Sequence, residues 1–255
     1  MLDLNQIRSS RTVEWILRLS AAGCFVGHGA FGILKKPQWL PYFSVVHVSP
    51  YWADKFLPCI GLMDIVLGIS VLWRPRRAVF LWMAFWAAWT ALLRPLAGEG
   101  IWDFFDCTGN YGIPLAFLVY NRPDPFRSGR LILILKIATG LLLIGHGGFG
   151  AFQAKEILIR HYAAIGIFLT RPALAFIGWF EILLGMWALL KPLRMVLIFV
   201  FLWKIGTELL YPLSGAPVWE FVERFSSYGA PLALFFLLPP DPRKSARPEH
   251  DSCLY

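Results

Sequence analysis

The chain has 255 residues, 57% of them hydrophobic and only 16% charged, with a mean hydropathy of +0.58. A soluble domain keeps about a quarter of its residues charged and rarely sustains apolar runs of roughly eighteen; such runs recur here from end to end, which excludes an ordinary cytosolic enzyme and makes the lipid bilayer the chain's solvent. The formal charge of +8 would suggest nucleic acid in a soluble protein, but a membrane protein places its basic residues according to topology, and no nucleic-acid partner is expected.

In chain order, the apolar runs predict eight transmembrane helices, at about 12–34, 56–73, 77–97, 102–120, 131–153, 166–190, 192–213 and 218–238. Each is long enough to cross hydrocarbon at roughly 1.5 Å per residue. Segments 37–52 and 155–163 read as interfacial pieces on the outer face, with Trp39, Tyr42, Tyr51 and Trp52 as belt aromatics. Residues 122–130 form a Pro-containing linker, and 240–255 a polar, disordered tail. Basic clusters at Arg8 and Arg11, at Arg74, Arg76 and Arg77, at Arg122, Arg127 and Arg130, at Lys191 and Arg194, and at Arg243, Lys244 and Arg247 occupy every second gap. The positive-inside rule then puts both termini in the cytoplasm of a multi-pass protein of a bacterial-type inner membrane.

The two halves of the chain repeat one another. Gly27-His28-Gly29-Ala30-Phe31-Gly32 returns 118 residues later as Gly145-His146-Gly147-Gly148-Phe149-Gly150. From Asp64, answered by Glu181, the offset is 117: Trp86 becomes Trp203, Thr90 becomes Thr207, Pro95 becomes Pro212, and Tyr111-Gly112-Ile113-Pro114 becomes Tyr228-Gly229-Ala230-Pro231. So many ordered matches indicate duplication. The expected fold is an all-α integral membrane protein whose eight helices form two four-helix bundles, residues 1–121 and 131–239. An even number of spans per unit keeps both copies the same way up, about a pseudo-two-fold axis along the membrane normal.

Ionisable residues within a span are costly, and each is a functional candidate by default. Helical rise puts His28 roughly 10 Å below the outer end of the first span, with Asp64 at similar depth on the second. Arg94 lies near the outer end of the third span and Glu99 just beyond it. Asp103, Asp106 and Asn110, beside Tyr111, enter the fourth at i, i+3 and i+7, on one helix face. The second unit repeats the pattern with His146, Glu181, Glu220, Glu223 and Tyr228, and adds an i, i+4 pair, Lys204 and Glu208. Each unit thus aims one imidazole and several carboxylates at its outer half.

Three readings of this pocket stay open. His28, His146, Asp64 and Glu181 are candidate metal ligands of the imidazole-and-oxygen type; the same groups suit a proton relay beside a quinone or a transport pathway; or they form an interhelical network that holds the bundle together. A haem clamped between His28 and His146 is disfavoured, since both rings would have to face the shared axis. The glycines flanking each histidine let either a flat ligand or a neighbouring helix approach the backbone. Lys204 in a seventh span does not make a retinal protein, because a four-span repeat excludes a seven-helix plan. Cys24, Cys59, Cys107 and Cys253 lack C-x-x-C spacing, and a Cys59–Cys107 disulfide is disfavoured.

The glycine-rich first span, the acid on the second, and the run Arg94-Pro95-Leu96-Ala97-Gly98-Glu99 leading to Trp102-Asp103-Phe104 and Asn110-Tyr111-Gly112-Ile113-Pro114 resemble bacterial DoxX-like membrane proteins. The resemblance covers almost the whole chain, twice over. It implies a four-helix unit associated with quinone- or thiol-linked redox complexes, with a soluble oxidoreductase or a larger membrane complex as partner. The expected function is a redox-associated membrane protein using a quinone or a metal. The alternatives are a proton-coupled small-solute transporter or lipid-binding protein, and a structural accessory subunit.

Overall fold

The computed structural model describes residues 4–121 and 127–239. The tail from 240, with Cys253, and most of the linker lie outside the described residues. Among the described residues all regular structure is helical. The first half contains α1 (Leu4–Ile33), a short 3-10 turn (Pro37–Trp39), α2 (Leu40–Val45), α3 (Pro50–Trp73), α4 (Arg77–Leu96), α5 (Ile101–Asp106) and α6 (Thr108–Tyr120). The second contains α7 (Arg127–Ala151), α8 (Glu156–Ala164), α9 (Arg171–Leu190), α10 (Arg194–Leu213), α11 (Trp219–Val222) and α12 (Phe225–Leu237).

Six of these helices, α1, α3, α4, α7, α9 and α10, are long and apolar enough to cross a membrane. Several boundaries differ from expectation for local reasons. Helix α3 starts at Pro50 rather than 56, because a proline at the first helical position needs no hydrogen-bond acceptor and its fixed φ already suits the helix. Helix α9 starts at Arg171 rather than 166, where the Thr170 hydroxyl accepts the Ala173 amide at 3.3 Å as an N-cap. Helix α7 begins at Arg127, inside the expected linker.

The fourth helix of each half is broken. In the first half Thr108 Oγ1 donates to the Phe105 carbonyl at 2.5 Å, and Cys107 alone separates the end of α5 from the start of α6. In the second, the Arg224 guanidinium donates to the Glu220 carbonyl at 2.5 Å and Tyr228 Oη to the Phe221 carbonyl at 3.0 Å, and the chain turns at Glu223 and Arg224. Side chains thus take up the carbonyls of the last turn, which lets the helix stop without a proline or glycine.

Helices α1 and α7 are central; α3, α4, α9 and α10 keep one bare apolar face outward, as Trp73 and Leu190 illustrate. Apolar residues at fourth positions of α1 (Val13, Leu17, Ala21, Phe25) meet Leu131, Leu135, Ala138 and Leu142 of α7 in one core, joined by the stacked Phe80 and Phe117 rings 4.0 Å apart. The packing follows the sequence repeat, with α1 on α3 matched by α7 on α9. It also crosses between the halves: α1 packs on α11 and α12, and α7 on α5 and α6.

Candidate functional site

The Gly-His-Gly segments sit where helices cross most closely. A Cβ on Gly32 would stand 2.7 Å from the Gly61 Cα of α3, and one on Gly27 would run into the Glu223 backbone where the second half's last helix breaks. In the second half Gly147 meets Gly178 of α9, and Gly145 meets the Asp106 backbone at the break between α5 and α6. The glycines therefore serve helix approach, each seating α1 or α7 against its own half and against the broken helix of the other.

In the first half this arrangement encloses a cavity of about 140 Å³ between α1, α2, α3, α4 and the start of α6. Its walls are largely apolar, with Trp39, Trp86 and Trp89 around His28, Asp64, Thr90, Arg94 and Asn110. His28 stacks on Trp39 with ring centroids 5.3 Å apart, and its Nε2 lies 3.8 Å from Glu223 Oε2. Asp64 is 3% exposed. Trp86 supplies it with a side-chain hydrogen bond, while Oδ1 has no hydrogen-bond partner. Arg94 stands 3.8 Å from Glu99 and 3.9 Å from Asp103, and Tyr42 donates its hydroxyl to Glu99. Cys24 and Cys107 also line the cavity as free thiols, whereas Cys59 is exposed.

The second half has only about 20 Å³ at the matching place. His146 Nδ1 is 2.7 Å from Glu181 Oε2, and Trp203 Nε1 donates to Glu181 Oε1 at 2.8 Å. Lys204 Nζ and Arg224 Nε reach the two oxygens of Glu208 at 2.5 and 2.8 Å. By the 117-residue offset, Lys204, Glu208 and Arg224 stand where the first half has Ala87, Ala91 and Cys107. The second half fills its cavity with an ion-paired network; the first leaves the same volume empty.

Two cations missed at the sequence level bind the halves together. Lys36 reaches Glu220 of the second half at 2.8 Å while lying 3.9 Å above the Phe31 ring. Lys155 reaches Asp103 of the first half at 2.7 Å while lying 3.5 Å above Phe149. The preceding residues, Lys35 and Ala154, share a left-handed backbone with φ of 51° and 45°. The equivalence carries an offset of 119, one residue out of step with the neighbouring histidines. His161 was missed as well. It is buried with Nδ1 2.5 Å from Ser214 Oγ and its ring 4.4 Å from Tyr211, and burial, with the Arg224 charge second, lowers its pKa below the ordinary histidine value.

No family model, curated protein or solved structure matches this chain. The candidate residues therefore stand on their own geometry, which separates them. His28, Asp64, Arg94 and Asn110 line the first cavity, but Glu99, Asp103, Asp106 and Tyr111 do not. The expected single face for Asp103, Asp106 and Asn110 is corrected by the break at Cys107, which sends Asp103 to Lys155 and leaves Asn110 at the cavity. Glu220 and Glu223 likewise turn to Lys36 and His28 of the first half. Tyr111 pairs with Thr108 at 3.1 Å and Tyr228 with the Phe221 carbonyl, so both brace helix breaks.

Among the described residues no three His, Cys, Asp or Glu side chains gather as metal donors. His146 and Glu181 engage each other, and His28 and His146 line separate cavities, so the donor set fits neither the metal nor the haem arrangement.

Proposed function

We propose that this chain is an inner-membrane protein of eight crossing segments, in two four-helix units about a pseudo-two-fold axis with both termini cytoplasmic. In this reading the first unit's cavity receives the ring of a membrane-resident, quinone-type ligand, and the second unit is its closed scaffold. The broken pair α5 and α6 runs from Ile101 to Tyr120, twenty residues, or roughly 30 Å if both pieces are aligned; that is the thickness of the hydrocarbon core. The alternating basic clusters support the orientation, and the DoxX-like resemblance supports a redox association with a soluble oxidoreductase or larger complex as partner.

The observation that carries the functional reading is the first-half cavity. Its volume of about 140 Å³ is close to that of an apolar cavity that takes up a single benzene ring. Apolar and aromatic walls with a few convergent polar groups are the usual character of a small-molecule site. Trp39, Trp86 and Trp89 also supply the assay: a short-chain quinone should quench tryptophan emission saturably in the purified protein. Ala91→Phe, which fills the cavity, should weaken that binding at least about tenfold, the effect of roughly 1.4 kcal/mol. Quenching that never saturates, or that A91F leaves unchanged, would sink the reading.

The buried Asp64 favours a second reading, proton-coupled movement of a small solute. There, uptake into proteoliposomes should require a proton gradient and stop in Asp64→Asn; uptake indifferent to both would count against it.

A further inference from the structure

Among the residues that line the ligand site proposed above, one fully buried polar atom has no hydrogen-bond partner. Asp64 is 3% exposed and lines the cavity, and its Oδ1 accepts no hydrogen bond. Its counterpart Glu181, one methylene longer, has both oxygens occupied, by Trp203 and by His146. In the first half Trp86 takes the role of Trp203, but His28 turns to Trp39 and to Glu223 of the other half. The nearby Thr90 hydroxyl is already committed to the Trp86 carbonyl at 3.0 Å. A buried carboxyl oxygen left in this state is costly unless something that enters the cavity donates to it.

We infer that Asp64 is the hydrogen-bond acceptor for a ligand hydroxyl, so that the cavity selects the reduced, hydroquinone-type form of its ring ligand over forms that lack a donor. The inference rests on the ligand reading of the preceding subsection. A second residue of the cavity lining agrees with it. Arg94 is eight residues along α4 from Trp86, roughly 12 Å by helical rise, and guanidinium groups only donate. An acceptor at Asp64 and a donor at Arg94 suit a ring with oxygens at opposite positions, one donating and one accepting. Arg94 in the same cavity also disfavours an ammonium ligand, which would meet a like charge.

The test compares three probes on the purified, full-length protein under anaerobic conditions: tetramethylhydroquinone, its dimethyl ether, and tetramethylquinone. The hydroquinone should bind at least about tenfold more tightly than either, the scale of a hydrogen bond to a charged or buried polar acceptor. In Asp64→Ala the three affinities should converge, while the dimethyl ether binds no worse than to wild type. Equal binding of hydroquinone and ether to wild type, or quinone binding as tight as hydroquinone, would overturn the role of Asp64 and leave the cavity as a ligand site. Failure of all three probes to bind would overturn the ligand site itself. The wild-type series decides the matter even where D64A does not fold.

Discussion

The two halves bury equivalent carboxyls, Asp64 and Glu181, and treat them differently. In the second half Glu181 is joined to His146 and Trp203, and the space beyond is filled by Lys204 and Arg224, both paired with Glu208. In the first half the matching positions are Ala87, Ala91 and Cys107, the volume stays open, and Asp64 keeps a free oxygen. The repeated sequence gives the two halves matching glycine crossings. The substitutions that separate them are those that decide whether the cavity holds ions of the chain itself or something from outside. In a bilayer this matters more than in water, since no solvent stands ready to satisfy what the chain leaves unpaired.

The largest expected effect lies in the filled half. Glu208 is shared by Lys204 and Arg224 at 1% exposure; Arg224 keeps Glu220 and Glu223 as partners, but Glu208→Ala strands the fully buried Lys204 ammonium and should destabilise by about 3–5 kcal/mol. Denaturant unfolding in detergent would measure it. The matching comparison is Asp64→Leu in the open half, which removes a buried carboxyl with one unpartnered oxygen and no ion pair, and should leave stability unchanged or raised. Equal losses in the two variants would erase the distinction between the halves.

The helix crossings should behave alike in both halves, which bounds the comparison. Gly27→Ala and Gly145→Ala each press a methyl into backbone of the opposite half, and each should destabilise by about 1–3 kcal/mol. A tolerated change at one and not the other would mean that the frames themselves differ. Smaller still, the Lys36–Glu220 and Lys155–Asp103 clasps should contribute about 1 kcal/mol each, measured as the loss in Lys36→Ala and Lys155→Ala. The smallest expected effect is in pH dependence. His161 has a lowered pKa in the fold, so its unfolded form binds protons first; stability is full above the ordinary histidine range and falls as pH drops through it. His161→Gln should flatten that acid limb of the unfolding curve, whereas an unchanged limb would assign it to other groups.

Much of this frame was legible in the sequence because a duplication is written in order. The histidines, the acids on the second span, and the odd pair Lys204 and Glu208 could all be found by offset. The cross-half clasps could not, since Lys36 and Lys155 are one residue out of step and their partners lie on distant helices. Nor could the helix breaks at Cys107 and Arg224, where neither proline nor glycine marks the stop and side-chain hydrogen bonds to carbonyls end the helix instead. That break is why Asp103 and Glu220 left the pockets to which spacing had assigned them. The emptiness of the first cavity was beyond reach for a plainer reason: Ala87 and Ala91 are unremarkable until their volume is compared with that of Lys204 and Glu208 in place.

The central claim, that only the first half accepts a ligand, is tested most directly by labelling with a photoreactive quinone analogue followed by peptide mapping. One label per chain should appear, on peptides of α1–α4 that carry Trp39 or Trp89, and Ala87→Lys/Ala91→Glu, which installs the second half's ion pair, should abolish it. Label spread equally over α9 and α10, or undiminished in that double variant, would contradict the account.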